Sequence, residues 1–244
     1  MAYSAYELLA LIIVTCGIAL QTWVGIGFGL LAAPLLYLID PAYVPGPILI
    51  LGFALSVLVV LKGRSELRWR RIMPAIVARV PGSWCGALLL VAVPEYLLSL
   101  LFGTSLLLAV LLTWRAFRLQ MTALSLTVGG FFSGLIGTAT SVGGPPIALI
   151  YQESNRMTAR NEMAAFFLIG TPVSILMLIF QGRVDPLSLS LSLKMLPGLL
   201  LGFWLALRFD GRINNRSTKS AILLIATLSA IGVLYKGVAG FLAL

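Results

Sequence analysis

Two basic side chains fall inside long apolar runs, where a bilayer would surround them. Arg79 lies about eight residues into the run at 72–93, hence roughly 12 Å deep at 1.5 Å per helical residue. Lys194 lies at similar depth in the run at 187–207, and each residue shortly precedes a Pro-Gly-x-x-x-Gly sequence, Pro81–Gly86 and Pro197–Gly202. A cation at the bilayer centre costs about 2.5–3.5 kcal/mol on insertion scales, so it tends to face a cavity or a partner. No carboxylate in the apolar runs obviously pairs with either, and the two read as near symmetry mates forming an anion-attracting centre. The competing reading is a side chain that snorkels to the headgroups.

Other polar groups lie at depth beside helix-weakening sequences. Gln21, Thr22 and Gly25 stand in the first run, and Ser133, Gly137, Thr138, Thr140, Ser141, Gly143 and Gly144 in the fifth. Where a helix is interrupted, freed backbone N–H groups and the positive end of its dipole can hold an anion. Gly143 and Gly144 would let a ligand approach the backbone. The same small residues also suit tight helix packing, as in Gly82-x-x-x-Gly86 and Gly130-x-x-x-Gly134. Catalysis finds no constellation. The chain has no histidine, its two cysteines (Cys16 and Cys85) form no spaced motif and read as packing residues, and Asp40, Asp185 and Asp210 lie at segment ends. Neither an enzyme, a metal site nor a cofactor is expected.

These residues must be positioned by elements suited to lipid. Of 244 residues, 60% are hydrophobic and 10% charged, far from the roughly 25% charged residues of a soluble domain. The net charge of +9 sits in short loops between apolar runs, which fits the positive-inside rule and not nucleic-acid binding. Apolar segments run over 6–39, 45–61, 72–93, 96–114, 123–151, 163–181, 187–207 and 220–240. Most match the roughly 20 residues that cross a bilayer core. The first and fifth are too long for one span and carry Gly25-Ile26-Gly27-Phe28-Gly29 with Pro34, and Gly137 through Pro146, so each is expected to break near its middle. The first seven residues hold no basic residue, which speaks against a cleaved signal peptide. Trp69 and Trp114 read as interfacial anchors, and Glu66, Glu153 and Glu162 as charges of loops and helix starts.

The halves echo each other. Gly17, Gln21, Gly25 and Pro34 correspond to Gly129, Ser133, Gly137 and Pro146, giving repeats over 1–119 and 120–244 in one transmembrane domain. Paired Gly/Pro-interrupted segments are the best sequence pointer to a transporter site. Equivalent loops have opposite basic bias: Lys62, Arg64, Arg68, Arg70 and Arg71 face a counterpart with only Arg183, whereas Pro94-Glu95 faces one with Arg208, Arg212, Arg216 and Lys219. If the broken segments return as hairpins, the halves are inverted and the basic loops, with Arg115, Arg118, Arg156 and Arg160, share the cytoplasmic side. Arg183 and Lys236 then lie opposite. If the broken segments cross once, eight spans in parallel repeats result.

The chain resembles the sulfite exporter TauE/SafE family, also described as the toluene-sulfonate uptake permease family. The resemblance rests on Gly25-x-Gly-x-Gly29 with Pro34, on Gly130–Gly137 followed by Ser141-Val142-Gly143-Gly144-Pro145-Pro146, on the basic loop and on the Pro-Gly-x-x-x-Gly elements. It implies a multi-pass permease of the cytoplasmic membrane for sulfite, sulfonates or related organosulfur anions. The expectation is therefore an all-α polytopic membrane protein that moves a small anion by alternating access, its partners being that anion, the lipid bilayer and a coupling proton or sodium ion. An anion channel, a non-transporting membrane subunit and a carboxylate carrier are the alternatives.

Overall fold

The computed structural model describes residues 3–25, 28–63, 67–114, 119–209 and 215–243, and among these every regular element is helical. Gly27, Arg64, Glu66, Arg115, Arg118, Asp210 and Arg212 lie outside the described residues, as do the side chains of Arg156, Arg216 and Lys219.

Ten α-helices follow one another: α1 (Ala5–Val24), α2 (Ala33–Ile39), α3 (Gly46–Lys62), α4 (Trp69–Ala92), α5 (Glu95–Trp114), α6 (Ala123–Thr140), α7 (Gly144–Ile150), α8 (Arg156–Phe180), α9 (Pro186–Arg208) and α10 (Asn215–Leu242). A π-helical turn at Phe28–Ala32 leads directly into α2. Among the described residues eight segments are long and apolar enough to cross a membrane, and the chain is an all-α polytopic membrane protein. Helix starts carry their own signals. Ser4 and Glu7 form a reciprocal capping box on α1, Thr122 and Ser125 one on α6, and Asp185 accepts from the Ser188 amide at the start of α9.

The two long segments break where glycine and proline said they would. α1 ends at Gly25 in the left-handed region (φ 82°), and α6 ends at Ser141 in the same region (φ 64°), where a non-glycine residue is strained. Beyond each break the chain doubles back. Gly17 of α1 packs on Phe28 and Ala32, and the Phe28 amide donates to Gln21 Oε1. Gly129 of α6 packs on Pro146, Ile147 and Ile150, and Ser133 donates to the Gly143 carbonyl at 2.6 Å. Both broken segments are therefore helical hairpins. Their tips meet, with the Gly29 α-carbon set against the Ser141 carbonyl.

Each hairpin lies along a long helix running in the same direction. α6 packs on α4, with Gly82 and Gly86 against the Phe131 and Leu135 carbonyls and Gly130 and Gly134 against those of Ala75 and Arg79; a methyl group at any of these would collide with backbone. The two small-residue motifs are thus packing elements. α1 packs likewise on α9, through Gly198 against Leu11 and Gly202 against Thr15. α5 pairs with α10, and α3 with α8. Cys16 and Cys85 face outward from the bundle, not into its core, which corrects their reading as packing residues.

α8 starts at Arg156, seven residues before its apolar run begins at 163. Glu162 consequently lies inside a helix and is fully buried, a correction to its reading as a charge at a helix start.

Candidate functional site

A central cavity with an empty volume of about 620 Å³ opens where the two hairpin tips approach α3, α4 and α8. Gln21, Phe28 and Gly29 come from the first tip, and Gly137, Ser141, Gly143 and Gly144 from the second. α3 adds Ile48, Leu49, Gly52, Leu55 and Ser56, α8 adds Phe167 and Thr171, and α4 adds Arg79. None of these lining residues is acidic.

Arg79 is the largest side chain among the fully buried ones, at 1% exposure. One terminal nitrogen donates to Ser133 Oγ at 2.9 Å and the other to Ser174 Oγ at 3.4 Å, while Nε meets no acceptor. Phe166 and Phe167 flank the guanidinium with ring centroids 5.0 and 5.1 Å away. Such contacts stabilise a desolvated cation by about 1–2 kcal/mol each, well short of replacing a counter-charge. The stem of the side chain runs over Gly170, whose missing side chain leaves the room it needs. Thr138 donates to Ser174 at 2.8 Å, and Ser83 and Ser174 share a hydrogen bond at 3.0 Å. A hydroxyl network from three helices thus surrounds a positive charge that no carboxylate among the described residues contacts.

The structure brings Arg79, Ser133, Gly137, Thr138, Ser141, Gly143, Gly144 and Gln21 to this centre. Gln21 spends its amide on the break itself, donating to the Gly25 carbonyl at 2.9 Å and accepting from Phe28. Thr22 bonds back to the Ile18 carbonyl within α1, and Gly25 caps that helix. Lys194 lies elsewhere. Its Nζ forms an ion pair with Glu7 Oε1 at 2.5 Å, and the Tyr3 hydroxyl donates to its carbonyl. The expectation that Lys194 lacks a carboxylate partner is thereby corrected: α1 runs beside α9 and carries Glu7 to it. The same number of positions separates the caps Gly25 and Ser141 as separates Pro81 and Pro197, and counting by that offset pairs Arg79 with buried Met195, not with Lys194. One residue on a helix is a turn of about 100°, enough to swing Lys194 off the site.

Sequence reasoning passed over Ser83, Phe166, Phe167, Gly170 and Ser174. A signal existed for most of them. Ser83 is one helical turn beyond Arg79, and Phe166, Gly170 and Ser174 recur at four-residue steps on one face of α8.

Toward the end of the bundle that holds Arg183, Ser141 Oγ donates at 3.0 Å to the carbonyl of Pro45, which lines a second, larger cavity with Glu95, Arg183 and Asp185. Toward the opposite end, Arg71 grips Glu162 through Nε and a terminal nitrogen at 2.9 and 2.7 Å, and the Tyr151 hydroxyl donates to the same oxygen at 2.9 Å. Among the described residues, no group of acidic or cysteine side chains could hold a metal ion.

Comparison with known proteins bears on the same residues. The family model described as sulfite exporter TauE/SafE matches residues 9–233. Neither a curated protein nor a solved structure matches the chain. With one family model spanning nearly the whole of this two-hairpin bundle, the chain belongs to the sulfite exporter TauE/SafE family.

Proposed function

We propose that the protein is a permease of the cytoplasmic membrane that moves a singly charged sulfur oxyanion, bisulfite or a small sulfonate, by alternating access. The observation that carries this reading is Arg79: a buried guanidinium on the wall of the central cavity, with no carboxylate in contact and one nitrogen unsatisfied. One uncompensated cation favours one negative charge. Apolar lining from Phe28, Leu30, Ile48, Leu49, Leu55 and Phe167 further favours a monoanion over a strongly hydrated dianion. Ser133, Thr138 and Ser141 orient the ligand, with Gly137, Gly143 and Gly144 giving it access to backbone. Lys194, bound to Glu7, supports the scaffold and is not part of this reading.

Alternating access follows from two hairpin repeats, 1–119 and 120–244, inverted relative to each other. The matching pairs α6 on α4 and α1 on α9 support the repeat, and the doubling back of both broken segments supports the inversion. In that topology Arg68, Arg70, Arg71, Arg160 and Arg208 share the cytoplasmic side, while Arg183 and Lys236 lie opposite. On either side of the cavity lie two contacts that such a motion would remake, Ser141 on Pro45 and Arg71 on Glu162.

The test is thermal stability of the detergent-purified protein with sulfite, methanesulfonate, sulfate and acetate. A ligand at a hundredfold excess over Kd adds about 2.7 kcal/mol. Sulfite and methanesulfonate should raise Tm, and Arg79→Ala should abolish the rise. A wild-type response in Arg79→Ala, or a response to acetate alone, would overturn the assignment.

A further inference from the structure

Glu162 is fully buried, yet only one of its oxygens is engaged. Arg71 and Tyr151 converge on Oε2, and Oε1 is buried with no hydrogen-bond partner. Leaving a buried carboxylate oxygen unsatisfied is costly, more so than for a neutral group. Arg71 itself keeps 30% of its side chain exposed, so the pair joins the protein interior to the water outside.

Its location gives the carboxylate a role. Arg71, Arg79 and Ser83 lie at four- and eight-residue intervals on one face of α4, and Glu162, Phe166, Gly170 and Ser174 on one face of α8. The two helices run in the same direction along a single seam. At one end Arg71 holds Glu162; two turns on, Arg79 lies over Phe166 and Gly170; beyond it Ser83 shares a hydrogen bond with Ser174. Arg71 and Arg79 are therefore eight residues, roughly 12 Å of helix, apart on α4, and Glu162 is one turn before Phe166 on α8.

We propose that Glu162 is a proton-binding site that couples anion binding at Arg79 to the uptake of one proton, an inference that rests on the reading of Arg79 as the anion site. The proton adds to a carboxylate oxygen, Glu162 becomes neutral, and Arg71 loses its counter-charge, which frees α4 to move along α8. Among the described residues, the ionised group that contacts Glu162 is Arg71 from α4, beside the neutral Tyr151 hydroxyl that follows α7; Arg160 lies two residues before it on α8. Charge balance sets the stoichiometry. The empty seam holds two arginines and one carboxylate, net +1, and regains that net charge when it holds one monoanion and one proton. Anion and proton then travel together in the same direction, and each tightens binding of the other by the same factor.

The experiment is proton counting on the full-length protein. Methanesulfonate, which does not itself take up protons in the working range, is added to purified protein in weakly buffered detergent solution with a pH-sensitive dye. The expected result is about one proton absorbed per anion bound by the wild type, and none by Glu162→Gln, which still binds the anion. Glu7→Gln, lacking a paired carboxylate remote from this seam, should absorb protons like the wild type. Wild-type binding without proton uptake overturns the coupling and needs no variant. Full uptake by Glu162→Gln overturns the assignment to Glu162. Absence of methanesulfonate binding in the wild type overturns the Arg79 reading itself, a failure distinct from the other two.

Discussion

Arg79 shows how a membrane interior holds a charge by fit. Its guanidinium is positioned by two hydroxyls and two aromatic faces, and its stem occupies the space over Gly170. Gly170→Ala puts a methyl group into the side chain's path, and the guanidinium must shift. Methanesulfonate binding should weaken about tenfold, equivalent to about 1.4 kcal/mol; unchanged affinity by calorimetry would show that the arginine tolerates displacement. At this scale the sequence was partly legible. An arginine deep in an apolar run is visible as such, because its burial is improbable without a purpose. Lys194 misled for the opposite reason: its partner Glu7 lies 187 positions away, a distance over which spacing carries no information. Glu162 was hidden by the polar residues around it, since Arg156 to Asn161 read as a loop until the helix is seen to include them.

Among the elements, the breaks were the most legible feature and the start of α8 the least. Gly25 and the Ser141–Gly144 segment break their helices because a left-handed residue ends one helix and glycine or proline opens the next. That the chain then doubles back depends on contacts such as Ser133 to Gly143, which no local signal encodes. The start of α9 carries a prediction about pH. Bonds from the Ser188 hydroxyl and amide hold the Asp185 carboxyl below the usual carboxylate range. A depressed value means the stabilisation is present above the ordinary carboxylate pKa, near 4, and is lost as pH falls through the folded-state value. Asp185→Asn keeps a capping acceptor but cannot titrate. Its Tm at pH 7 should match the wild type closely, and its loss of Tm on acidification to about pH 3 should be smaller. Equal acid losses in the two proteins would show that the cap plays no part.

For the whole molecule, the hairpin topology predicts the sides on which loops lie. A cysteine at Ser154, in the turn before α8, should resist a membrane-impermeant maleimide in intact cells, and one at Gln181, after α8, should react. The reverse pattern, or both sites behaving alike, would sink the inverted arrangement; Cys16 and Cys85, which face outward from the bundle, set the background in the parent protein. Charge in the loops made this topology one of two readable from sequence, and the contacts by which each broken segment folds back, Gly17 on Phe28 and Ser133 on Gly143, favour the hairpin form. The pairing of α1 with α9 also has a consequence in time. Glu7 waits for a partner synthesised 187 positions later, which at 5–20 residues per second is roughly 10–40 s. Throughout that interval the first helix occupies the membrane with its carboxylate and its Leu11–Thr15 face uncovered. Nascent chains stopped before residue 186 should then be cleared by membrane proteolysis faster than chains stopped after residue 208, so that completion of α9 is the moment at which the N-terminal half becomes durable.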